Sequence, residues 1–415
     1  MKKYDLVVVG GGISGVAAAV SGAREGLSVL LIEKEGVLGG AMSNNLVYPF
    51  MRCTTKGENS RLINAGIFKE MLTRYGNHKI SYEIFKFIFD DMVISAGVDV
   101  LFHATVFDVK TEGRNIKSVS VNASASVFDI SADFFIDATG DGELIALSGC
   151  EFQLGREQDG LCQPMTTCFR LGGIDVKKFC DEQWNYIDEW YNIQRKYKEW
   201  KKEGKIKNPR ENILVFFGLG DGVGHFNTTR VIKHDPTNPF ELSEAEIISR
   251  QQILEMIDFL KENSEACKNA FLISVANGIG IRESRKLKGV YILTQEDIVS
   301  CREFEDTIAL GSYDIDIHNP EGTGTHIHEF GDGEYYKIPY RSLLPKEYDN
   351  MLVAGRCLSA DHYAHSAVRI MPICACLGEA AGTALAIAKK SGKNAHSVDI
   401  GAVRQRLEEN GAAVR

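Results

Sequence analysis

The chain has 415 residues, 44% of them hydrophobic, and a formal net charge of −9; this is enough apolar content for one large or two ordinary domains. The acidic balance argues against a nucleic-acid partner, because phosphate binding needs clustered cations. Ten cysteines occur without any C-x-x-C, which excludes ferredoxin-type cluster runs and common zinc spacings, so no metal is expected and reduced thiols fit a cytoplasmic protein.

In chain order, "YDLVVV" predicts a strand that runs into Gly10-x-Gly12-x-x-Gly15, and "ISGVAAAVSGAREG" predicts the helix after it. Gly10 permits the tight turn, Gly12 lets backbone approach a pyrophosphate, and Gly15 lets helix and strand pack closely. Helix N–H groups from Ile13 and Ser14 onward then face the phosphates. Glu33 ends the next apolar run, "LSVLLIE", where a carboxylate can accept hydrogen bonds from ribose hydroxyls. At this point FAD and NAD both remain open, since both carry the same ADP half. The continuation "EKEGVLGGAMSNNLVYPFMRC" separates them. Gly39-Gly40 offers a second close backbone approach, followed by a polar and aromatic loop that suits a flavin and has no obvious use in an NAD enzyme.

"SYEIFKFIFDDMVISAG", Ser81 to Gly97, predicts a helix with a serine start. Strands and turns follow, ending in "FFIDATGDGEL", where Gly140 and Asp141 sit at a strand end suited to nucleotide contact or to an ordinary turn. From about Glu151 to Pro339 the nucleotide-like pattern stops, and helical segments alternate with strand-like ones such as "NILVFFG" and "TTRVIKH". "VFFGLGDGVGHFNTTR" mimics a second dinucleotide turn, but no helix pattern follows it, so it is predicted as a turn or a flavin-facing loop. The charged block Arg195 to Lys207 predicts a solvated helical face. Near the end, the strand "NMLVAG" meets a polar loop and then a buried helix, "MPICACLGEAAGTALAIA", with Pro372 near its start. Cys374 and Cys376 are predicted as small buried apolar residues of that helix. No uninterrupted apolar stretch is long enough to cross a membrane.

With these blocks together, the chain resembles the FAD-dependent oxidoreductase family of two-domain, glutathione-reductase-type flavoproteins. The likeness rests on GxGxxG with Glu33, on Gly39-Gly40 and "DATGDGEL", and more specifically on "GIRESRKLKGVYILTQEDI", "YKIPYRSLLP" and "NMLVAGRCLSADHYAHSAVRIMP". It implies FAD held by Gly10, Gly12, Ile13, Ser14, Gly15, Glu33, Lys34, Gly39, Gly40, Ala41 and Met42. It places the adenine against backbone near Val106, with Gly140 and Asp141 nearby, and the flavin under Gly355, Arg356, Arg369 and Met371. The turn after His365 reads Ser-Ala where the family often carries glycine. The implied fold is α/β: a Rossmann-type FAD-binding domain, residues 1–155 and 340–415, with an inserted mixed α+β substrate domain, 156–339.

A flavin of this kind exchanges a hydride at N5, so the chain is expected to be an oxidoreductase of a small polar substrate, with carboxylates among the candidates. Arg369 and the N–H groups of the closing helix would stabilise charge at the flavin N1 edge. For proton transfer His362 is favoured, with Tyr363 and His328 behind it. Arg282 and Arg341 are candidate anion clamps, or else structural ion pairs between domains. The electron acceptor or donor, the direction of reaction and the oligomeric state stay open. The rival reading is a structural or non-redox FAD, or a subunit of a larger electron-transfer complex.

Overall fold

The computed structural model describes residues 3–76, 82–181 and 185–415. The elements run β1 (Tyr4–Val9), α1 (Ile13–Arg24), β2 (Val29–Ile32), α2 (Ile67–Gly76), α3 (Ile84–Ser95), β3 (Asp99–Leu101), β4 (Ala104–Glu112), β5 (Asn115–Ala123), β6 (Ser126–Asp137), α4 (Glu143–Ser148) and β7 (Phe152–Leu154). They continue with β8 (Phe169–Gly172), α5 (Asp188–Lys202), β9 (Val215–Phe216), β10 (Gly224–Phe226), α6 (Pro239–Asn263), β11 (Phe271–Val275), β12 (Arg285–Leu287), α7 (Gln295–Val299) and β13 (Thr307–Gly311). The chain closes with β14 (Ile315–His318), β15 (Thr325–His328), β16 (Tyr336–Pro339), β17 (Met351–Val353), α8 (His362–Val368), α9 (Met371–Ser391) and α10 (Ile400–Glu409).

The fold is mixed α/β. Its main sheet has seven strands in the order β3-β2-β1-β6-β5-β4, with β17 also paired to β6. β1 is parallel to both β2 and β6, β17 is parallel to β6, and β4, β5 and the first half of β6 pair antiparallel. The parallel strands read as continuous apolar runs because both their faces are covered. β6 therefore serves two pairings: its start is an arm of a β-meander, and its end, Phe134 to Asp137, lies in the parallel centre.

A separate antiparallel sheet, β11-β8-β10-β9, packs with α5 and α6 around Phe169, Tyr197, Phe226, Met256 and Phe259. After β12 the chain returns to the first core: Leu293, Ile298, Ile308, Tyr336 and Leu343 share one apolar cluster with α1 and α9. "GLGDGVG" is the connection between antiparallel β9 and β10, as its missing helix pattern predicts. "TTRVIKH" forms no strand beyond a single bridge at Val231, and α3 starts after Glu83 without a side-chain cap, while Ser81 lies outside the described residues.

α9 is long and apolar enough to cross a membrane, contrary to the expectation from sequence, but 89% of that window is buried in this core. Its close partner is α1. A Cβ at Gly378 would lie 2.0 Å from the Ser14 carbonyl oxygen, and one at Gly382 would lie 2.2 Å from that of Ala18. Only glycine permits that approach. The one acid within α9, Glu379, is buried, and its carboxylate accepts the Ile67 N–H at 2.9 Å. Burial pushes its pKa up from 4.5 to about 7.

An acid raised in the folded state stabilises the fold fully below its unfolded value and loses that contribution as pH rises through the folded value. Glu379 should thus make the fold less stable between pH 4.5 and about pH 7, by on the order of 3 kcal/mol. Denaturant unfolding of Glu379→Gln should show a flatter pH dependence across that window; a profile parallel to that of the unmodified chain would contradict this.

Candidate active site

A cavity of about 910 Å³ opens at the C-terminal ends of β1, β2, β6 and β17, the usual ligand position in an open parallel sheet. Gly10 has φ +98° and its Cβ would meet the Ala138 carbonyl oxygen at 2.6 Å, so this turn requires glycine. Gly15 does not line the cavity; a Cβ there would lie 1.8 Å from the Gly10 carbonyl oxygen, so its role is packing. At Gly12 nothing is nearer than 4.0 Å, which leaves its backbone open to a ligand. Gly39 donates its N–H to the Gly11 carbonyl at 2.8 Å, laying the second glycine turn on the first.

Two helix N-termini point into this space. α1 starts after Gly12 and α9 after Ile370, neither with a side-chain cap, and Ile13, Ser14 and Met371 line the cavity. The buried Ser14 hydroxyl has no partner among the described residues. Unsatisfied N–H groups, helix dipoles and a glycine cradle suit the phosphates of a dinucleotide. Glu33 accepts the Gly11 N–H at 2.6 Å and the Glu35 N–H at 2.8 Å; burial raises its pKa against those two bonds. Lys34 pairs with Glu143 at 2.9 Å, and Asp141 pairs with Arg356 at 2.8 Å and accepts the Ser284 hydroxyl at 2.7 Å. Gly40, Ala41, Val106, Gly140 and Gly355 complete this wall, whereas Met42 turns into the apolar core.

The opposite wall is cationic. Arg210 and Arg282 are buried, Arg369 is half-buried with its Nε enclosed, and all three line the cavity. Arg210 donates from Nε to Asn212 at 3.1 Å, Arg282 donates to the Pro164 carbonyl at 2.6 Å, and Arg369 reaches Gln163 Oε1 at 3.4 Å with its Nε unpaired. Among the described residues none of the three forms an ion pair. Burial first, and then the charges of Arg369, Arg210 and Arg230, lower the Arg282 pKa to about 9.

Between these arginines stands β14. Tyr313, just before it, donates to Asp316 at 2.9 Å, and His318 follows two residues later on the same face. Arg230 donates to His318 Nδ1 at 3.1 Å. A guanidinium cannot accept, so Nδ1 is the acceptor and Nε2 carries the proton. That Nε2 lies 3.5 Å from Asp316. Burial and the charge of Arg282 hold the His318 pKa down to about 3, so the imidazole is neutral at physiological pH.

Four residues expected at the reacting centre are elsewhere. His362 opens α8 outside the cavity, with Nδ1 2.9 Å from the buried Glu283, which also binds the buried Lys286. Tyr363 is 41% exposed on the same helix. His328 packs edge-on against Phe330, because strand alternation turns Ile327 to the cavity and its neighbours away. Arg341 forms a two-point pair with Asp306 at 2.9 and 3.2 Å and covers the Tyr291 ring, so it is a structural ion pair outside the cavity. Of the expected substrate-side residues, only Arg282 lines the cavity. Arg210, Tyr313, Asp316 and His318 were missed. The alternation in "YDIDIH" carried a signal for the last two, while "NPREN" carried none for Arg210.

Residues 5–407 match the family model described as FAD dependent oxidoreductase. Digeranylgeranylglycerophospholipid reductase 1 of Methanococcoides burtonii is 27% identical over 191 residues, 42% of this chain and 46% of that one. Dihydrolipoamide dehydrogenase of Chaetomium thermophilum is 50% identical over 40 residues, 10% of this chain and 8% of that one. The matches thus span less than half the length of either curated relative. Among solved structures, the flavin-dependent brominase Bmp2 aligns over 98% of this chain and 84% of its own at 12% identity, with a TM-score of 0.51, which shows a shared fold.

The Glu283–Lys286 pair behind Arg282 should be essential to the fold. Lys286→Met removes the lysine cation that balances the buried Glu283, leaving it His362 and the Gln163 N–H, and should cost about 3 kcal/mol in denaturant unfolding. The double change Glu283→Gln with Lys286→Met should recover part of that loss; a single variant as stable as the unmodified chain would contradict the pairing.

Proposed function

The chain belongs to the FAD-dependent oxidoreductase family and its cofactor is FAD, and on that premise we propose that it oxidises or reduces a small anionic substrate held by Arg282 and Arg369. The parallel strands with α1 and α9 are read as a Rossmann-type FAD unit. The β8–β11 sheet with α5 and α6 is read as an inserted substrate unit, and the chain after about Arg285 as part of the FAD unit whose core it shares.

When bound, FAD supplies the acceptor or donor of a hydride. The chain's own residues do the rest. Gly10, Gly12 and the open N-terminus of α1 take the pyrophosphate, and the N-terminus of α9, with Arg369, presents positive charge toward the ring end. The observation that carries the substrate class is the unpaired cationic wall. Burying a guanidinium without a counter-charge is costly, so such groups are kept where a ligand supplies it. Arg282 and Arg369 retain free donors for a carboxylate. His318, neutral and protonated at Nε2, is placed to donate a hydrogen bond rather than a proton beside the substrate, with Asp316 and Tyr313 fixing its surroundings.

A second reading has one observation in its favour. Leu214, Leu242, Ile279 and Ile327 line the same cavity, so the anionic group could carry an apolar arm, and the Methanococcoides relative is named as the reductase of a glycerophospholipid.

The test is anaerobic mixing of the FAD-loaded protein with small carboxylates and with their uncharged amides. Carboxylates should bleach the oxidised flavin or recolour the pre-reduced one, and amides should do neither. Arg282→Met should retain FAD yet need about 10- to 150-fold more substrate, the worth of one charge-assisted contact. Equal bleaching by an amide, or an unchanged concentration dependence, would contradict the proposal.

A further inference from the structure

Four guanidiniums, those of Arg210, Arg230, Arg282 and Arg369, lie within electrostatic reach of the single carboxylate of Asp316. Two further acids reach them: Glu211, which pairs with Arg230 at 3.2 Å, and Glu283 beside Arg369, whose charge is already balanced by the buried Lys286. His318 is neutral and adds nothing to the balance. Of the other charges of the cavity, Glu246 pairs with Arg250, Asp141 with Arg356 and Lys34 with Glu143, while Glu33 and Glu35 belong to the glycine-turn wall, where Glu33 accepts backbone N–H groups. Four cations against two carboxylates leave a surplus of two positive charges in the wall.

The surplus is held from two separate anchors. Arg282 and Arg369 are tied to adjacent residues of one segment, the Pro164 carbonyl and the Gln163 side chain. Arg210 is tied to its own stretch, where Asn208 Oδ1 accepts its backbone N–H at 3.0 Å and Asn212 Oδ1 accepts its Nε–H. With Nε engaged, both terminal nitrogens of Arg210 are without a partner among the described residues. A planar fork fixed at its base with its tips free is arranged for bidentate capture of a planar anion.

We infer that the substrate is a dicarboxylate, one carboxylate held by Arg282 and Arg369 and the other by Arg210, which makes Arg210 the residue that sets specificity. The inference rests on the anionic-substrate reading above and sharpens it. A single doubly charged head, such as a phosphate, would need the cations gathered on one anchor, whereas here they come from two.

The probes are malonate, succinate and glutarate, the monocarboxylates of matching length, and inorganic phosphate, titrated by calorimetry into the FAD-loaded protein at low salt. The best dicarboxylate should bind at least about 10-fold tighter than its monocarboxylate. Arg210→Met should remove that advantage, weakening dicarboxylate binding far more than monocarboxylate binding, and retained stoichiometric FAD shows that the variant is folded. Arg210→Lys, which keeps charge without the fork, should fall between. Arg282→Met should weaken both classes. Equal binding of mono- and dicarboxylates, with both lost in Arg282→Met, would overturn the dicarboxylate while leaving the anionic substrate standing. Tighter binding of phosphate than of any dicarboxylate would also overturn it. If no carboxylate or phosphate binds, the anionic-substrate reading falls as well.

Discussion

The site depends on how closely α9 lies on α1. Helix axes normally stand 8–10 Å apart because side chains separate them. Here Gly378 and Gly382 bring α9 onto the backbone carbonyls of Ser14 and Ala18. The contact joins the first turn of the chain to its last long helix, more than 350 residues later. Its consequence is electrostatic: two uncapped N-termini open into one cavity, one at each end of the space a dinucleotide needs. The apolar content of α9, which alone would suit a membrane, is what lets it be buried on all sides in this position.

The second constraint is charge. Most ionic groups near the cavity are neutralised within the chain, as Asp141 is by Arg356 and Glu283 by Lys286 and His362. The wall formed by Arg210, Arg282 and Arg369 is not. Each is held through one neutral oxygen, which fixes orientation without cancelling charge. The arrangement orders the cations before any ligand arrives, so little is spent on positioning them later. Arg230, covered by Glu211, turns instead to His318 and sets its tautomer.

The cofactor half of this architecture was legible in the sequence because its determinants are local. A glycine turn between strand and helix, an acid at the end of the next strand, and a second glycine pair each occupy a few consecutive residues, and the structure gathers them on one wall. Gly15 and Met42 are the exceptions, since both pack inward. The substrate half was legible only at Arg282 and Arg369. Its residues come from 210, 282, 313–318 and 369, and only the fold makes them neighbours. Histidines were sought in "DHYAH" and "GTGTHIHEF", where they are dense, yet strand alternation points His328 away and Glu283 holds His362 outside the cavity. The sequence left Arg341 open between a clamp and a structural ion pair, and Asp306, thirty-five residues earlier, decides for the pair by binding its Nε and one terminal nitrogen.

The most direct measurement is a crystal structure of the FAD-loaded protein with a flavin-bleaching carboxylate bound. The expected result is a pyrophosphate on the N-terminus of α1 and a substrate carboxylate within hydrogen-bonding distance of Arg282 and Arg369, on the His318 side of the flavin. A substrate bound away from these arginines, with their guanidiniums neutralised by groups of the protein itself, would contradict it.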